Sequence, residues 1–392
     1  MIYLDNAATT YPKPPEVRRA VSDAMVLYGA NPGRGGHALS LRTAEQIYAC
    51  REAAASLFSL DNPANVVFTA NCTMSLNMVI KGTLHPGDHV VISDLEHNSV
   101  IRPLEALRDK NITYTQAAVY PHYPLLTVES FRNAIQPNTK LILCSHASNV
   151  LGYRAPIECL ATLAAEKGIP FAVDAAQSGG ILPIDMAKSG IDYLCLPGHK
   201  GLYGPMGTGL LLCRGKPQLS TIMEGGSGSQ SLLPKQPEEL PERLESGTVN
   251  VLGICGLREG IKFVQRHTVE AVSARETAIM QGLYLRLSQI NRIHIYTPYP
   301  NLSECVPLIT FNVKNHSSEE VAEFLDSRGI AVRAGLHCAP SAHRRMKTIE
   351  NGAVRLCPSV YTTVLLDELV AQPKNSYPVR LNVFVVKFLA TS

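Results

Sequence analysis

Lys200 sits in Pro197-Gly198-His199-Lys200-Gly201, between an apolar run and the glycine-rich Gly204-Pro205-Met206-Gly207-Thr208-Gly209. Upstream, the strand-like Ile169-Pro170-Phe171-Ala172-Val173 delivers Asp174-Ala175-Ala176-Gln177. A free lysine holds its proton up to a pKa of about 10.4, but one buried beside a cationic ring releases it and becomes a nucleophile. An upstream aspartate can hold a protonated pyridine nitrogen. Together these are what pyridoxal 5'-phosphate (PLP) asks of a protein.

Asp174 follows apolar residues, which places it at the carboxyl end of a central strand, where α/β sheets bind ligands. A carboxylate there is costly unless paired, and a pyridinium N–H is a suitable partner. The alternative is an aspartate that caps the next helix. Gln177 is a candidate donor to the phenolic oxygen of the cofactor. His97, in Glu96-His97-Asn98-Ser99, either stacks on the ring or merely occupies a βα loop. For the phosphate, the strand ending at Thr69 leads into Ala70-Asn71-Cys72-Thr73-Met74-Ser75-Leu76-Asn77 and then a helical pattern. Such a turn offers free N–H groups and the positive end of a helix dipole, with Thr73 as the side-chain contact and His199 as a second. Ser and Thr are also ordinary helix caps, so both readings of the turn stand.

A thiol stands apart from these. Arg333-Ala334-Gly335-Leu336-His337-Cys338-Ala339-Pro340 puts Cys338 in a loop directly after a strand. Its basic neighbours Arg333, His337, His343 and Arg344 are expected to favour the thiolate. A metal site built from His337, Cys338 and His343 lacks a fourth ligand and zinc spacing, so no metal is expected. Arg355, in Val354-Arg355-Leu356, suits a substrate carboxylate, which arginine grips with two parallel hydrogen bonds. Its plainer reading is a strand-end arginine in a surface ion pair.

The elements that must position these residues follow from the apolar pattern. A chain of 392 residues, 45% hydrophobic, is expected to hold two domains. Short apolar strands are predicted at 66–69, 89–92, 140–144, 170–173, 193–196 and 209–213, with helical patterns such as 44–58 and 157–167 between them. That alternation predicts a largely parallel sheet buried on both faces. The glycine-rich turn leaves no room for a helix before the last strand, so one of the final two can run antiparallel. From about residue 247 the texture changes to a long helical stretch at 251–290 that leads into 292–296, strands at 308–313 and 330–333, and a helix at 318–328. The expected division is 1–246, an N-terminal segment with a large cofactor-binding domain, and 247–392, a smaller α+β domain.

The formal net charge is only +3 with 18% charged residues, which gives no reason to expect nucleic acid. The densest basic patch, His343-Arg344-Arg345-Met346-Lys347, reads as a solvated turn or substrate rim. No apolar stretch reaches the roughly 18 residues of a membrane span, and the first residues do not read as a signal peptide. A cytoplasmic protein without membrane association is expected. Ten cysteines without any C-x-x-C read as small buried apolar residues, Cys338 excepted.

Several motifs carry a family resemblance. They are Tyr3-Leu4-Asp5-Asn6-Ala7-Ala8-Thr9-Thr10, Asn31-Pro32-Gly33-Arg34-Gly35-Gly36-His37, the turn at 71–77 and Glu96-His97-Asn98. Further along stand Ser148-Asn149-Val150-Leu151-Gly152, Asp174-Ala175-Ala176-Gln177, Gly198-His199-Lys200, Glu245-Ser246-Gly247-Thr248-Val249-Asn250 and Arg333-x-Gly335-x-His337-Cys338. With these in order over roughly residues 1–363, the chain resembles the cysteine desulfurase family of the class V aminotransferase fold. The resemblance implies an α/β protein of PLP-dependent fold type I, with a mainly parallel seven-stranded sheet and a smaller α+β domain. It implies that Lys200 carries PLP and moves protons, that Asp174 holds the ring nitrogen, and that Gln177 meets the ring oxygen. His97 would stack on the ring and serve in catalysis as a proton shuttle. Cys72, Thr73 and His199 would hold the phosphate with Thr248 of the partner subunit, which makes the active unit a homodimer. Asn149, Arg333 and Arg355 would hold L-cysteine, with Asn149 also at the cofactor. Cys338 would take the substrate sulfur as a persulfide, leave alanine, and pass the sulfur to an acceptor protein.

Three alternatives remain open at this point: a selenocysteine lyase, a cysteine sulfinate desulfinase, or a sulfur-relay donor that turns over slowly alone. The chain also departs from relatives. Pro197 replaces a hydroxylated residue at the phosphate, and Cys72 stands where Gly or Thr is usual. After Thr363, a helix begun at 364–370 is broken by Pro373 and Pro378, and 379–387 reads as an unexpected strand. An apolar tail of that kind is an aggregation hazard if uncovered.

Overall fold

The computed structural model describes residues 1–33 and 36–362; the tail segments expected at 364–370 and 379–387 lie outside the described residues. The chain opens with β1 (Ile2–Tyr3), α1 (Pro15–Leu27) and α2 (Ala38–Leu57). Then follow β2 (Val66–Thr69), α3 (Cys72–Thr83), β3 (His89–Ser93), α4 (Asn98–Glu105), β4 (Thr113–Ala117) and α5 (Pro124–Ala134). The alternation continues through β5 (Thr139–Ser145), α6 (Ile157–Lys167), β6 (Phe171–Asp174), α7 (Met186–Ser189), β7 (Tyr193–Pro197) and β8 (Gly209–Cys213). Last come α8 (Val251–His267), α9 (Val269–Leu287), β9 (Ile293–Ile295), β10 (Ile309–Val313), α10 (Ser318–Ser327), β11 (Ile330–Ala331), α11 (Pro340–Met346) and β12 (Val354–Leu356).

The chain forms two compact units. The larger comprises Lys13–His146 and Ala155–Val269. Its seven-stranded sheet has the order β2-β8-β7-β6-β5-β3-β4. Strands β4, β3, β5, β6 and β7 pair in parallel, and β8 runs antiparallel to both β7 and β2, as the short glycine-rich turn between β7 and β8 requires. Val, Ile and Leu bury the inner strands on both faces, as parallel sheets demand. Strand β4 went unpredicted because it lies at the sheet edge, where Thr113 and Gln116 are exposed, Tyr114 and Thr115 only half-buried, and the sequence leaves no apolar run. Gly209 is required by a close approach. A Cβ there would meet the Asn71 backbone carbon at 2.6 Å, so only glycine lets β8 pass beside the turn that opens α3.

The smaller unit gathers Met1–Pro12, Ala147–Arg154 and the chain from Glu270 onward. Strands β12, β10 and β9 form an antiparallel sheet, and β1 pairs with β11 in parallel. Leu4, Met280, Leu283, Phe311, Val354 and Leu356 share its core. Helix α10 starts with a reciprocal capping box between Ser317 and Glu320. This division differs from the single cut expected after residue 246. Helix α8 packs on α1 and α2 of the larger unit, while β1 is hydrogen-bonded to β11 more than three hundred residues later. Pairings between distant segments leave no trace in local composition. The helix expected over 251–290 is broken as well: Thr268, at φ 62° and ψ 146°, ends α8 and turns the chain into α9. No helix of the described residues is long and apolar enough to cross a membrane.

Candidate active site

In the larger unit, β6 ends at Asp174, which is 5% exposed. Its Oδ1 accepts from the Ala176 N–H at 2.9 Å and from the Cys72 thiol at 3.5 Å. The next helix starts only at Met186, so Asp174 is not a helix cap. Burial and then Asp174 push the Cys72 thiol well above its ordinary pKa, while Lys200 opposes them, so these three groups share one electrostatic neighbourhood. Cys72 is an inert donor there. Lys200 and Gln177 are both half-buried, Lys200 just beyond β7 and Gln177 in the turn after Asp174.

Asn71 caps α3 by accepting from the Met74 N–H at 2.9 Å. The amides of Cys72 and Thr73 follow in the first turn, among those an α-helix leaves without an intrahelical acceptor. Thr73 is exposed, and its hydroxyl lies 2.8 Å from the Ser99 hydroxyl, which lies 2.8 Å from His97 Nδ1. His97 Nδ1 also accepts from the Ser99 N–H at 3.0 Å and so caps α4. The turn that opens α3 and the His97 loop are thereby hydrogen-bonded to each other.

His199 is half-buried, and burial, followed by Lys200 and Lys13, lowers its pKa to about 4. Near neutral pH it is therefore a neutral hydrogen-bonding group rather than a cation. Lys13, which was not among the expected site residues, donates from Nζ to the His199 carbonyl at 2.6 Å; burial lowers its pKa to about 8. Glu96 was also given no role. It accepts from Ser93 Oγ at 2.5 Å, the Ser145 N–H at 2.8 Å and Ser145 Oγ at 2.8 Å, fastening the His97 loop to the end of β5. Burial raises its carboxyl to a pKa of about 7. The signal for both was present, since an isolated Lys before Pro14 and an acid beside a candidate histidine are visible in the sequence; what they touch was not. Thr248 is exposed on the segment leading into α8.

In the smaller unit, Arg355 is buried on β12, 2% exposed, which excludes its plainer reading as a surface arginine. Its guanidinium donates to the Asn149 carbonyl at 2.9 Å and to Asp5 Oδ1 at 3.1 Å. Burial lowers its pKa, and the Asp5 carboxylate works against that shift. The exposed Arg333 lies antiparallel to Arg355, linked through backbone hydrogen bonds. The Asn149 side chain donates to the His337 carbonyl at 2.7 Å, and Cys338, the next residue, is exposed.

One expectation about Cys338 is corrected. His337 and His343 are buried, and burial is the largest cause holding both below their ordinary pKa. They are therefore neutral at physiological pH, and only Arg333 and Arg344 remain as cations of that loop. The basic patch at 343–347 is likewise not a plain turn: it lies mostly in α11, with His343 inward and Arg345 over the Tyr153 ring at 5.6 Å. Among the described residues no three His, Cys, Asp or Glu side chains are arranged to hold a metal ion. The predicted residues thus form two sets. Cys72, Thr73, His97, Asp174, Gln177, His199 and Lys200 belong to the larger unit, and Asn149, Arg333, Cys338 and Arg355 to the smaller.

Known proteins share this arrangement of sequence. The family model described as aminotransferase class-V matches residues 2–365. A probable cysteine desulfurase of Pyrococcus abyssi is 32% identical over 394 aligned positions, covering 96% of this chain and 96% of its own. Another, from Methanothermobacter thermautotrophicus, is 31% identical over 369 residues, 92% of this chain and 91% of the relative. The solved structure of a cysteine desulfurase from Thermococcus onnurineus superposes with a TM-score of 0.86 at 28% identity, covering 99% of this chain and 94% of that one.

Proposed function

The chain belongs to the class-V aminotransferase family, and on that premise we propose that it is a PLP-dependent L-cysteine desulfurase. It turns L-cysteine into L-alanine, and the sulfur leaves on Cys338. The donor set of the larger unit fits PLP. A buried carboxylate at Asp174 answers a protonated ring nitrogen, the α3 turn with Thr73 and neutral His199 answers a phosphate, and Lys200 answers an aldehyde. When bound, PLP supplies an electron sink for the carbon atoms of the amino acid.

The protein's own residues do the rest. Asp174 would hold the protonated ring nitrogen, and Gln177 would donate to the ring oxygen. His97, oriented by Ser99, would stack on the ring; with the Ser99 N–H on Nδ1, its proton is assigned to Nε2. Lys200 takes the proton from the substrate α-carbon and returns one during formation of alanine. Arg355 and Asn149, with Arg333 at the rim, orient the substrate carboxylate. The Cys338 thiolate attacks the substrate sulfur: an S–S bond forms, the Cβ–S bond breaks, and its electron pair stays with Cβ, which is then protonated. Thiol and L-cysteine thereby become persulfide and L-alanine, with no outside oxidant. A thiol of an acceptor protein collects the sulfur from exposed Cys338. Exposed Thr248 fits the role of a phosphate ligand donated to a second copy of the chain, so the working unit is a homodimer.

One observation carries this reading: an exposed thiol whose preceding peptide is hydrogen-bonded to Asn149, itself bonded to a buried arginine. A PLP transaminase has no use for such a thiol. The test is alanine release from L-cysteine by Cys338→Ala, which is expected to fall by a factor of about 100 or more while PLP absorbance is retained. Undiminished cysteine turnover in that variant, as a selenocysteine-type lyase could show, would overturn the mechanism.

A further inference from the structure

Cys338 is exposed, but the residue before it is not: His337 is 5% exposed. Both occupy the left-handed backbone region, His337 at φ 49° and Cys338 at φ 57°. Side chains with a Cβ disfavour that region, and two in a row persist only where the surroundings enforce them. The restraints are explicit. The Asn149 amide donates to the His337 carbonyl at 2.7 Å, and His337 Nε2 donates to the Ala353 carbonyl at 3.0 Å. Gly335 and Ala353 exchange backbone hydrogen bonds at 3.1 Å each, and a Cβ on Gly352 would meet the Gly335 Cα at 2.7 Å. The His343 ring packs beside His337 at 5.6 Å between centroids. The first link in this chain is the Asn149 carbonyl, which Arg355 holds at 2.9 Å.

We propose that Asn149 and His337 are positioning residues that clamp the peptide before Cys338 and tie the pose of its thiol to Arg355. The proposal rests on the desulfurase reading and goes beyond it. Asn149 and Asp5 each take one N–H of the Arg355 guanidinium while its Nε–H is buried without a partner among the described residues, so a substrate carboxylate arriving there would share the guanidinium with the Asn149 carbonyl. Any adjustment of Asn149 passes through one hydrogen bond to the His337 carbonyl and so to the sulfur acceptor. Neutral His337 suits this role, because a second buried cation beside Arg355 would be repelled. A rigid clamp of this kind sets attack geometry, where displacements of about 1 Å cost rate steeply.

The test uses the full-length holoenzyme in a single turnover with L-cysteine. Persulfide on the Cys338 peptide is followed by mass spectrometry, and substrate affinity by the absorbance change on binding. His337→Ala is expected to slow persulfide formation about tenfold or more with substrate affinity within about threefold. His337→Gln, which keeps an N–H donor for Ala353, is expected to recover most of the rate. Asn149→Ala should lose both rate and affinity, because it joins the clamp to Arg355. A wild-type rate in His337→Ala, an equal loss in His337→Gln, or a loss of affinity in His337→Ala that matches its loss of rate overturns the clamp. Failure of the wild type itself to form persulfide overturns the desulfurase reading instead.

Discussion

Glu96 shows how a single residue sets conditions for its neighbours. Its carboxyl is fully buried, accepts three hydrogen bonds, and titrates at about 7 rather than its ordinary 4.5. The folded protein therefore binds this proton more tightly than the unfolded chain does. Its favourable contribution is complete below about pH 4.5, and it is lost progressively as pH rises to about 7. Glu96→Gln keeps both acceptor bonds on one oxygen and donates from its amide to Ser145 Oγ, without a charge to bury. Urea unfolding at a series of pH values should show Glu96→Gln gaining on the wild type between pH 4.5 and 7, by at most about 3 kcal/mol. Parallel pH slopes for the two proteins would mean that Glu96 does not titrate in this range. At this scale the sequence offers candidates by residue type, Lys200, Asp174, Cys338 and Arg355 among them. It names charge states badly. His337 and His343 look cationic in a run of basic residues, yet burial makes them neutral, and burial is a property of what folds over them.

Elements were legible where one face or both meet a core. The apolar strands β2, β5, β6, β7 and β8 and helices such as α6 were read close to their observed bounds, because burial imposes an apolar pattern on local sequence. Edge strand β4 escaped because solvent tolerates any side chain there. The break between α8 and α9 escaped for another reason. Thr268 sits at φ 62° and ψ 146°, a conformation nearly reserved for glycine, and its side chain gives no warning of it. Relief of that strain, of roughly 1–3 kcal/mol, should exceed the roughly 1 kcal/mol that extra freedom in the unfolded chain costs. Thr268→Gly is therefore expected to stabilise the fold by about 1 kcal/mol in denaturant unfolding; a loss of stability would show that the threonine makes contacts worth more than its strain.

The whole molecule answers questions that no element can. Thr248 is exposed in the single chain, as a residue used by a second copy would be. Co-expression of a Lys200→Ala chain with a Thr248→Asp chain then has a definite outcome. Each homodimer should be nearly inactive, while the mixed dimer rebuilds one of its two sites and recovers about half of wild-type activity. No recovery in purified mixed dimers would place Thr248 outside the site. What the sequence by itself determined is the order of these groups along the chain: a lysine and an aspartate at strand ends, a strand-to-helix turn, a loop thiol and an arginine. These are local facts, set by residue type and by the short-range pattern that burial imposes. Only the tertiary structure decided that residues 1–12 and 147–154 join the C-terminal unit, that Asp5 and Asn149 share Arg355, and that His337 is a neutral anchor under Cys338. Each depends on hydrogen bonds and desolvation between segments far apart in the chain, and neither leaves a mark on the residues nearby.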